Sequence, residues 1–476
     1  KQSFIATIHN FCDSQLAHYV GNQSALGLLR AMLLGDEQGF DPELRQAYSQ
    51  TGIIHIVSIS GSHVAMMFLL ISAILFWLRG RHADWIKYLI GLTVVWLYVL
   101  VAGAPPSAVR SAVMFSIVAL SVITAREGQA LNTLMAAAFI LLVGRPQWLF
   151  ALGFQLSFLA VLSILLFYQP LVRLWPQNNR LAKHLWQAVC VSFAAEILIA
   201  PLVVYYFHNF PVSFVVANLV SSIALGLCTL IGGVAVIALC WIPPVAGFLG
   251  ELIGILVEGF NKFIIVLQGI NPHSFQFLQI SVGELLLLYV VIISLAIWLL
   301  LKKPKAVLFA LPALLMFISS ITINKVLAWK SNRLIVYNNG KQASIERIGG
   351  GYFLPYISGS DESYYSKAAH TGYYSWRKVG RDSSFNNYFS IAGKNVLILS
   401  DSTANQFNGV LPVDILILAR PLRQMRVQTA FQAFQPKVIV LAQRVSAYQL
   451  RRWHDSCIAH QCRLYNVATG GAFVLE

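Results

Sequence analysis

The chain has 476 residues, of which 57% are hydrophobic and 11% are charged, and its formal net charge is +15. Its mean hydropathy is +0.66. This composition excludes a soluble globular protein and predicts an integral membrane protein.

Residues 1–50 have mixed polarity and precede the long apolar runs. Pro42 stands between Asp41 and Glu43, an order typical of a helix start, because proline suits the first helical position and acidic residues suit the first turn. We predict short amphipathic helices here, lying on or dipping into the membrane. The chain begins at Lys1 without a signal-peptide pattern, so we expect the natural protein to have an upstream portion.

A series of apolar runs follows, and most of them reach the roughly 20 residues that a membrane-spanning helix requires. The runs cover residues 56–78, 86–102, 108–125, 131–143, 148–168, 186–207, 214–241, 245–270, 285–301 and 306–323. The run at 131–143 is short, so we expect it to be tilted, re-entrant or shielded by neighbours. The predicted fold class is a polytopic α-helical membrane protein with about 10 transmembrane helices, which form a transmembrane domain at residues 51–325.

Basic residues are concentrated in the alternate loops of this scheme. They are Arg79, Arg81, Lys87, Arg126, Arg173, Arg180, Lys183, Lys302, Lys303 and Lys305, whereas the opposite loops hold little beyond Arg145. Because positive charge marks cytoplasmic loops, we predict a multi-pass protein of the cell membrane whose amino-terminal segment and carboxyl-terminal domain are extracytoplasmic.

Two histidines and three serines stand around the start of the first run, where polar side chains are costly in a bilayer. They are His55, Ser58, Ser60, Ser62 and His63. In one continuous helix His55, Ser58 and Ser62 share a face with His63 adjacent, whereas a break at Ser60 exposes backbone that only protein or a water-filled cavity tolerates. Pore lining or a functional interface is one interpretation, and structural serines that allow close helix packing are the other.

Further polar side chains lie in or beside the later runs. They are Arg110, Gln155, Ser157, Glu196, Asn218 and Glu258. Arg110 either snorkels at the interface or contacts a passing phosphate, and Gln155 either bonds helices together or contacts substrate. Glu258 shares a helix face with Glu251 and Lys262, so this face is an internal ion pair, a wet interfacial surface or a proton relay.

Beyond residue 330 the polarity becomes ordinary and the apolar runs become short and alternating. The predicted strands are 333–338, 343–348, 352–357, 395–400, 413–419, 437–441, 463–467 and 472–475, and the predicted helices are 424–434 and 446–458. This alternation indicates a small α/β domain at residues 330–476, folded outside the membrane. Aromatic and basic residues interleave in it, and the candidates for contact with single-stranded DNA are Lys367, Tyr373, Trp376, Arg377 and Lys378; aromatic packing within the domain is the alternative.

The ordered motifs of the apolar region resemble those of the ComEC-type competence proteins. They are Ala31 to Asp36, Gly52 to Val64, Pro106 to Arg110, Gly153 to Ala160, and Ala200-Pro201 followed by Phe210-Pro211 and Asn218-Leu219. The resemblance implies transport of one DNA strand across the cytoplasmic membrane during natural transformation. It also implies a DNA receptor on the outer side and a helicase-like ATPase inside, and a homodimer is left open.

Beyond residue 333 the chain is similar to the metallo-β-lactamase-like domain of that family, in Asn395 to Asp401, in Val413-Asp414 and in Gly471 to Phe473. Its metal site requires a His-x-His-x-Asp-His pattern, and the 11 histidines include no His-x-His pair. A pair of metals that activates hydroxide cannot be held without these ligands, so we predict a degenerate, non-catalytic domain with no metal and no cofactor. His454, Cys457, His460 and Cys462 match no standard zinc spacing.

No phosphate-binding loop of the G-x-x-x-x-G-K-[ST] type occurs in the chain, so energy must come from a partner or from the proton gradient. Two rival functions are a proton-coupled secondary transporter of a small solute and a membrane-anchored metal-dependent phosphodiesterase or nuclease. The missing ligands argue against the second rival.

Overall fold

The apolar runs form α-helices, and the alternating region forms two β-sheets. The computed structural model describes residues 4–59, 61–78, 83–123, 130–222, 226–270, 278–337, 344–357, 377–378, 387–399, 411–419 and 427–476. Within these ranges the helices of the apolar part are α1 Phe4–Tyr19, α2 Gln23–Leu29, α3 Pro42–Gln50, α4 Gly61–Ile74, α5 Ala83–Val101, α6 Pro106–Ile123, α7 Ala130–Gly144, α8 Leu152–Arg173, α9 Arg180–Phe207, α10 Phe214–Val220, α11 Gly226–Ala238, α12 Pro243–Ile270, α13 Val282–Leu301 and α14 Val307–Lys330.

Several of these helices are suited to a bilayer. Among the described residues, 5 helical segments are long and apolar enough to cross a membrane, namely α8, α9, α12, α13 and the segment Pro304–Lys330 that contains α14. Shorter apolar helical segments accompany them, at Gln23–Leu34, in α4 to α7 and in α11. The protein is therefore a multi-pass membrane protein, while the total of about 10 spans stays a prediction.

The run at 214–241 does not form one helix. It is divided into α10 and α11, with two π-helical residues, Ser221 and Ser222, after α10. The Ser221 hydroxyl donates to the carbonyl oxygen of Asn218 at 3.2 Å, a local bond that competes with the regular helical ladder.

The amino-terminal segment differs in part from the amphipathic helices that the sequence predicts. The start of α3 is confirmed, because Asp41 accepts a hydrogen bond from the Glu43 backbone N–H at 2.9 Å and Pro42 occupies the first turn. In contrast, α2 is buried over five of its seven residues. Its leucines pack in one apolar core with residues of α11 and α12, so α2 contributes to the interior of the bundle.

The chain divides into two compact units. The first comprises residues 1–276 and 288–311, and the second comprises residues 277–287 and 312–476. Each unit has its own apolar core.

The α/β part of the second unit contains two five-stranded sheets among the described residues. The strands are β1 Asn332–Tyr337, β2 Ser344–Gly349, β3 Tyr352–Ile357, β4 Arg377–Lys378, β5 Tyr388–Ile391, β6 Lys394–Leu399, β7 Ile415–Leu418, β8 Val438–Leu441, β9 Arg463–Asn466 and β10 Phe473–Leu475. The order is β10-β1-β2-β3-β4 in the first sheet and β5-β6-β7-β8-β9 in the second. In the second sheet β6 to β9 are parallel, and β5 is antiparallel to β6.

The two sheets enclose one core, and helices cover the other face of the second sheet. Leu334 and Ile345 of the first sheet belong to the same buried cluster as Ile398 and Ile417 of the second. On the far face of the second sheet, helices α15 (Val427–Phe434) and α16 (Ala447–Ala459) pack over a separate cluster. A last short helix, α17 (Val467–Gly470), precedes β10. The predicted α/β region is therefore present, with most strands within two residues of their predicted bounds.

Candidate functional site

The first turns of α4 and α8 both approach the second turn of α6 in the first unit. A Cβ added to Gly61, the first residue of α4, would lie 3.3 Å from the hydroxyl oxygen of Ser111 in α6. A Cβ added to Gly153, the second residue of α8, would lie 3.7 and 3.8 Å from the two terminal nitrogens of Arg110. We call Gly61, His63, Arg110, Ser111 and Gly153 the helix-start cluster.

Local sequence fixes where these helices begin. Pro106 is the first residue of α6, where its missing N–H removes no helical bond. The turn before α6 is held by Gly35, which has a φ of +75° and would place a Cβ only 2.7 Å from the carbonyl oxygen of Ala102. Only glycine combines this backbone angle with such a close approach. The amino-terminal segment thereby supports the turn that leads into α6.

Arg110 is the most unusual member of the cluster. It is 6% exposed, and its Nε has no hydrogen-bond partner. Among the described residues its guanidinium has no hydrogen bond and no ion pair. The apolar cluster formed by residues such as Val64, Ala108 and Ala112 lies beside it. An unpaired buried guanidinium is costly, so this arrangement requires an explanation beyond packing.

The histidines flank the start of α4. His55 lies in a short 3-10 turn, Ile54–Ile56, and is exposed, whereas His63 in α4 is 2% exposed. The two rings are close enough for an electrostatic interaction. A continuous helix through His55 and His63 is therefore wrong: α4 begins only at Gly61, and the Ser58 hydroxyl bonds back to the carbonyl oxygen of His55 at 3.4 Å. Ser62 is exposed in the first turn of α4, and Ser60 lies outside the described residues.

Gln155 and Ser157 lie in α8 but belong to different surroundings. The Gln155 side-chain amide donates to the carbonyl oxygen of Leu149 at 3.0 Å, which ties α8 to the 3-10 turn Pro146–Phe150 before it. Its Oε1 is buried without a partner. Ser157 is half-buried further along α8. Gln155 thus contacts its own chain neighbourhood rather than a distant helix.

Glu196 and Asn218 lie on α9 and α10. Glu196 is half-buried near the middle of α9 and has no hydrogen bond or ion pair to any described residue. Five residues later Pro201 occurs inside α9. Asn218 is half-buried, and its backbone accepts the Ser221 hydroxyl described above.

Glu258 is engaged in structural contacts. Its carboxyl accepts the side-chain amide of Asn22 at 2.8 Å and pairs with Lys262 at 2.7 Å, one helical turn away. Asn22 also caps α2 through a bond from the Ala25 N–H at 3.0 Å. Glu258 and Lys262 form an ion pair, but the pair is not internal, because the Lys262 side chain is 74% exposed and that of Glu258 is 41% exposed. Glu251 is exposed on the same helix.

Sequence reasoning missed the buried carboxyl of Glu284 in the first turn of α13. It is 2% exposed and accepts hydrogen bonds from Ser320 at 2.6 Å, Asn324 at 3.0 Å and the Ser281 N–H at 2.7 Å. All of these groups lie in the second unit. The available sequence signal was a Ser281-to-Glu284 capping box followed by polar residues within the last apolar run.

Asp414 is the centre of a polar network in the α/β part. Asp414 accepts the Asn395 N–H at 2.9 Å and pairs with Lys437 at 2.8 Å. The hydrogen bond from Lys437, followed by that from the Asn395 N–H, holds the pKa of Asp414 below its ordinary value. Among the described residues no group of three or more His, Cys, Asp or Glu side chains could hold a metal ion.

The proposed DNA-contact residues are mostly outside the described part of the chain. Lys367, Tyr373 and Trp376 lie in the range 358–376, as Asp401 lies in 400–410. Arg377 and Lys378 form β4, which pairs in parallel with Tyr352 and Phe353 of β3. Their role in DNA contact stays a prediction.

Comparison with known proteins assigns both parts of the chain. The sequence model of the competence protein family matches residues 32–302, more than half of the chain, and that of the ComEC C-terminal domain matches residues 334–476. No solved structure matches the chain.

Several curated relatives match about half of the chain. ComE operon protein 3 of Bacillus subtilis is 28% identical over 244 residues, which are 50% of this chain and 30% of the relative. Competence protein ComA of Neisseria gonorrhoeae is 30% identical over 213 residues, 42% of this chain and 29% of the relative. An uncharacterized protein of Aquifex aeolicus is 28% identical over 268 residues, 55% of this chain and 60% of the relative. The chain thus spans less than two thirds of each of these relatives.

Proposed function

The chain belongs to the ComEC-type family of competence proteins, and we propose that its helical unit transports single-stranded DNA across the cytoplasmic membrane during natural transformation. The observation that carries this proposal is the helix-start cluster. Ionisable side chains at membrane depth are costly and mark substrate pathways more often than structural sites. A polyanion requires cationic and hydrogen-bonding groups, which Arg110, Ser111 and the two histidines supply.

The carboxyl-terminal α/β part has a separate role in this proposal. It lies on the extracytoplasmic side, contacts DNA through the aromatic and basic stretch that includes Trp376 and Lys378, and is not a nuclease. The absence of any His-x-His pair from the sequence supports the non-catalytic assignment. Since the chain has no phosphate-binding loop, an outer DNA receptor and a cytoplasmic helicase-like ATPase complete the system.

One observation favours a second candidate function, the proton-coupled transporter of a small solute. Glu196 is a half-buried carboxyl in a candidate span, without a partner among the described residues. Such carboxyls serve as proton relays in transporters. The two candidates differ in their dependence on DNA, because a solute transporter moves protons whether or not DNA is present.

Uptake of fluorescent DNA by transformable cells tests the proposal. In cells that depend on this protein, His63→Ala is expected to reduce uptake by about tenfold, which corresponds to the loss of one hydrogen bond to a charged group. His184→Ala is the matched control, since His184 is an exposed histidine near the start of α9. Expression and membrane insertion are measured for each variant.

Two results would contradict the proposal. One is DNA uptake that does not depend on the protein at all. The other is proton flux in proteoliposomes that is abolished by Glu196→Gln and is unaffected by DNA on either side, which would favour the transporter instead.

A further inference from the structure

Arg110 and the first turn of α8 face each other in the first unit. The terminal nitrogens of Arg110 lie 3.7 and 3.8 Å from the position of a Cβ on Gly153, the second residue of that helix. The amino-terminal end of a helix carries a partial positive charge and free N–H groups. A buried guanidinium at this end is therefore a contact between two positive groups, which is unfavourable unless an anion joins them.

Neither side of this contact is neutralised by a residue in the described part of the chain. Ala151 precedes α8 and has no side chain that can cap it. Among the described residues Arg110 has no carboxylate partner, although only 6% of its surface is exposed to solvent. The helix end alone would be weak support, but the unpaired guanidinium directed at it is an independent observation.

One side of this contact lies at the surface of the first unit. Gly153 is exposed although Arg110 is buried. Because Gly153 has no side chain, a ligand can approach the backbone N–H groups of the first turn. Arg110 is the fifth residue of α6, so it lies about 6 Å along the axis from the start of that helix.

We propose that Arg110 and the first turn of α8 form a binding site for a phosphodiester oxyanion. The guanidinium supplies planar donors for two oxygens, and the helix end supplies backbone N–H groups. The inference rests on the proposed function only for the source of the phosphodiester. In that function the source is the backbone of the transported strand. A phospholipid headgroup carries the same chemical group and is the other source that the experiment must separate.

The test uses the full chain in lipid nanodiscs and a labelled oligothymidylate as probe, with fluorescence anisotropy measured over a series of salt concentrations. Arg110→Gln is expected to weaken binding by about tenfold or more. It should also reduce the slope of log affinity against log salt by about 0.7, the value for one phosphate contact on a single strand. Arg145→Gln, which removes an exposed arginine that stacks on Trp148, is the matched control and should not lower the slope as much.

A second variant protects the test against misfolding of the first. Gly153→Ala places a methyl group at ordinary contact distance from Arg110, so the fold tolerates it, and alanine favours a helix over glycine. The methyl group nevertheless occupies the approach to the helix end. We expect this variant to keep its thermal stability and to lose part of the affinity for the oligothymidylate.

The outcomes separate the site from the function. In one outcome, Arg110→Gln and Gly153→Ala bind the oligothymidylate with the affinity and salt slope of the unaltered chain. If a short-chain phosphatidylglycerol added in detergent also stabilises both variants against heat as much as the unaltered chain, the proposed site is wrong. The proposed function in DNA uptake is not contradicted by that outcome. If the variants lose only the thermal stabilisation by that lipid, the site is supported and its occupant is a lipid. If the unaltered chain neither binds nor takes up DNA, the proposed function fails, and titration with inorganic phosphate, compared between the unaltered chain and Arg110→Gln, decides the site alone.

Discussion

Two buried ionisable residues of the helices have opposite surroundings. Glu284, in the second unit, accepts three hydrogen bonds. Arg110, in the first unit, has no partner among the described residues. Buried polar groups that only hold a fold together are satisfied within the fold. The comparison therefore favours a structural role for Glu284 and agrees with the anion site proposed at Arg110.

The largest effect on stability is expected when the satisfied network is broken. Glu284→Ala removes the acceptor of the half-buried Ser320 hydroxyl and Asn324 amide and of the Ser281 N–H, and we expect a loss of roughly 3 kcal/mol of folding free energy. Fluorescence-detected size-exclusion chromatography after heating measures the shift in melting temperature. Glu284→Gln, which keeps an acceptor, should lose less, and equal losses would contradict the hydrogen-bonding account.

A smaller loss is expected in the scaffold of the helix-start cluster. Gly35→Ala forces a φ of +75° on alanine and brings its Cβ against the carbonyl oxygen of Ala102. Such strain costs about 2 kcal/mol. The same melting assay applies, with Gly39→Ala as the control, since no atom lies within 4 Å of a Cβ there. If Gly35→Ala melted like Gly39→Ala, the support of the turn before α6 would be wrong.

Removal of the unpaired charge of Arg110 is expected to raise the stability of the fold rather than lower it. Arg110→Met replaces a buried guanidinium by an apolar side chain, which should raise stability by up to about 1 kcal/mol when no nucleic acid is present. The reason is that the uncompensated charge has a desolvation cost and no partner to offset it. A loss of stability comparable with that of Glu284→Ala would show that Arg110 is structural and would remove the contrast between the two sites.

The smallest expected effect is a loss of stability at low pH, caused by Asp414 on the surface of the α/β part. The pKa of Asp414 is lowered in the folded state, whereas in the unfolded chain it is about 3.9. Its carboxylate therefore stabilises the fold fully above about pH 4, and this contribution is lost as pH falls further. The measurement is hydrogen exchange of the backbone amides of β6 and β7 in the full chain. Below about pH 5 their protection should depend less on pH in Asp414→Asn than in the unaltered chain.

The control for this last experiment is Asp455→Asn, whose side chain is 80% exposed. It should leave the exchange of β6 and β7 unchanged at each pH. An equal response of both variants would mean that net charge, rather than the contact with Lys437, controls the acid sensitivity.

The strand positions of the α/β part were predicted closely because its strands are short apolar runs with polar residues at their ends. Val396 to Leu399 and Ile415 to Leu418 are continuous apolar runs, which is the pattern of parallel strands covered on both faces. The helical part was predicted less well. The break before Gly61 was only one of two alternatives for that run, and the interruption after Val220 was not predicted, because two serines in a long apolar run do not by themselves end a helix.

The site was identified only in part. His63 and Arg110 were selected because polar residues are rare in apolar runs, and the structure places them in adjacent helices. Glu258 was selected by the same rule, but it is held by Asn22 and Lys262. A polar residue in an apolar run therefore does not distinguish a functional group from a satisfied one.

Amino-acid order by itself determined the membrane class, the helical runs and the α/β domain, because hydropathy and its period act within a few residues of the chain. Tertiary structure alone decided which polar groups are paired. Asn22 reaches Glu258 across more than 200 residues, and Arg110 meets the start of α8 instead of a carboxylate. Hydrogen bonds and ion pairs depend on distances of about 3 Å between side chains, and only the packed fold sets those distances.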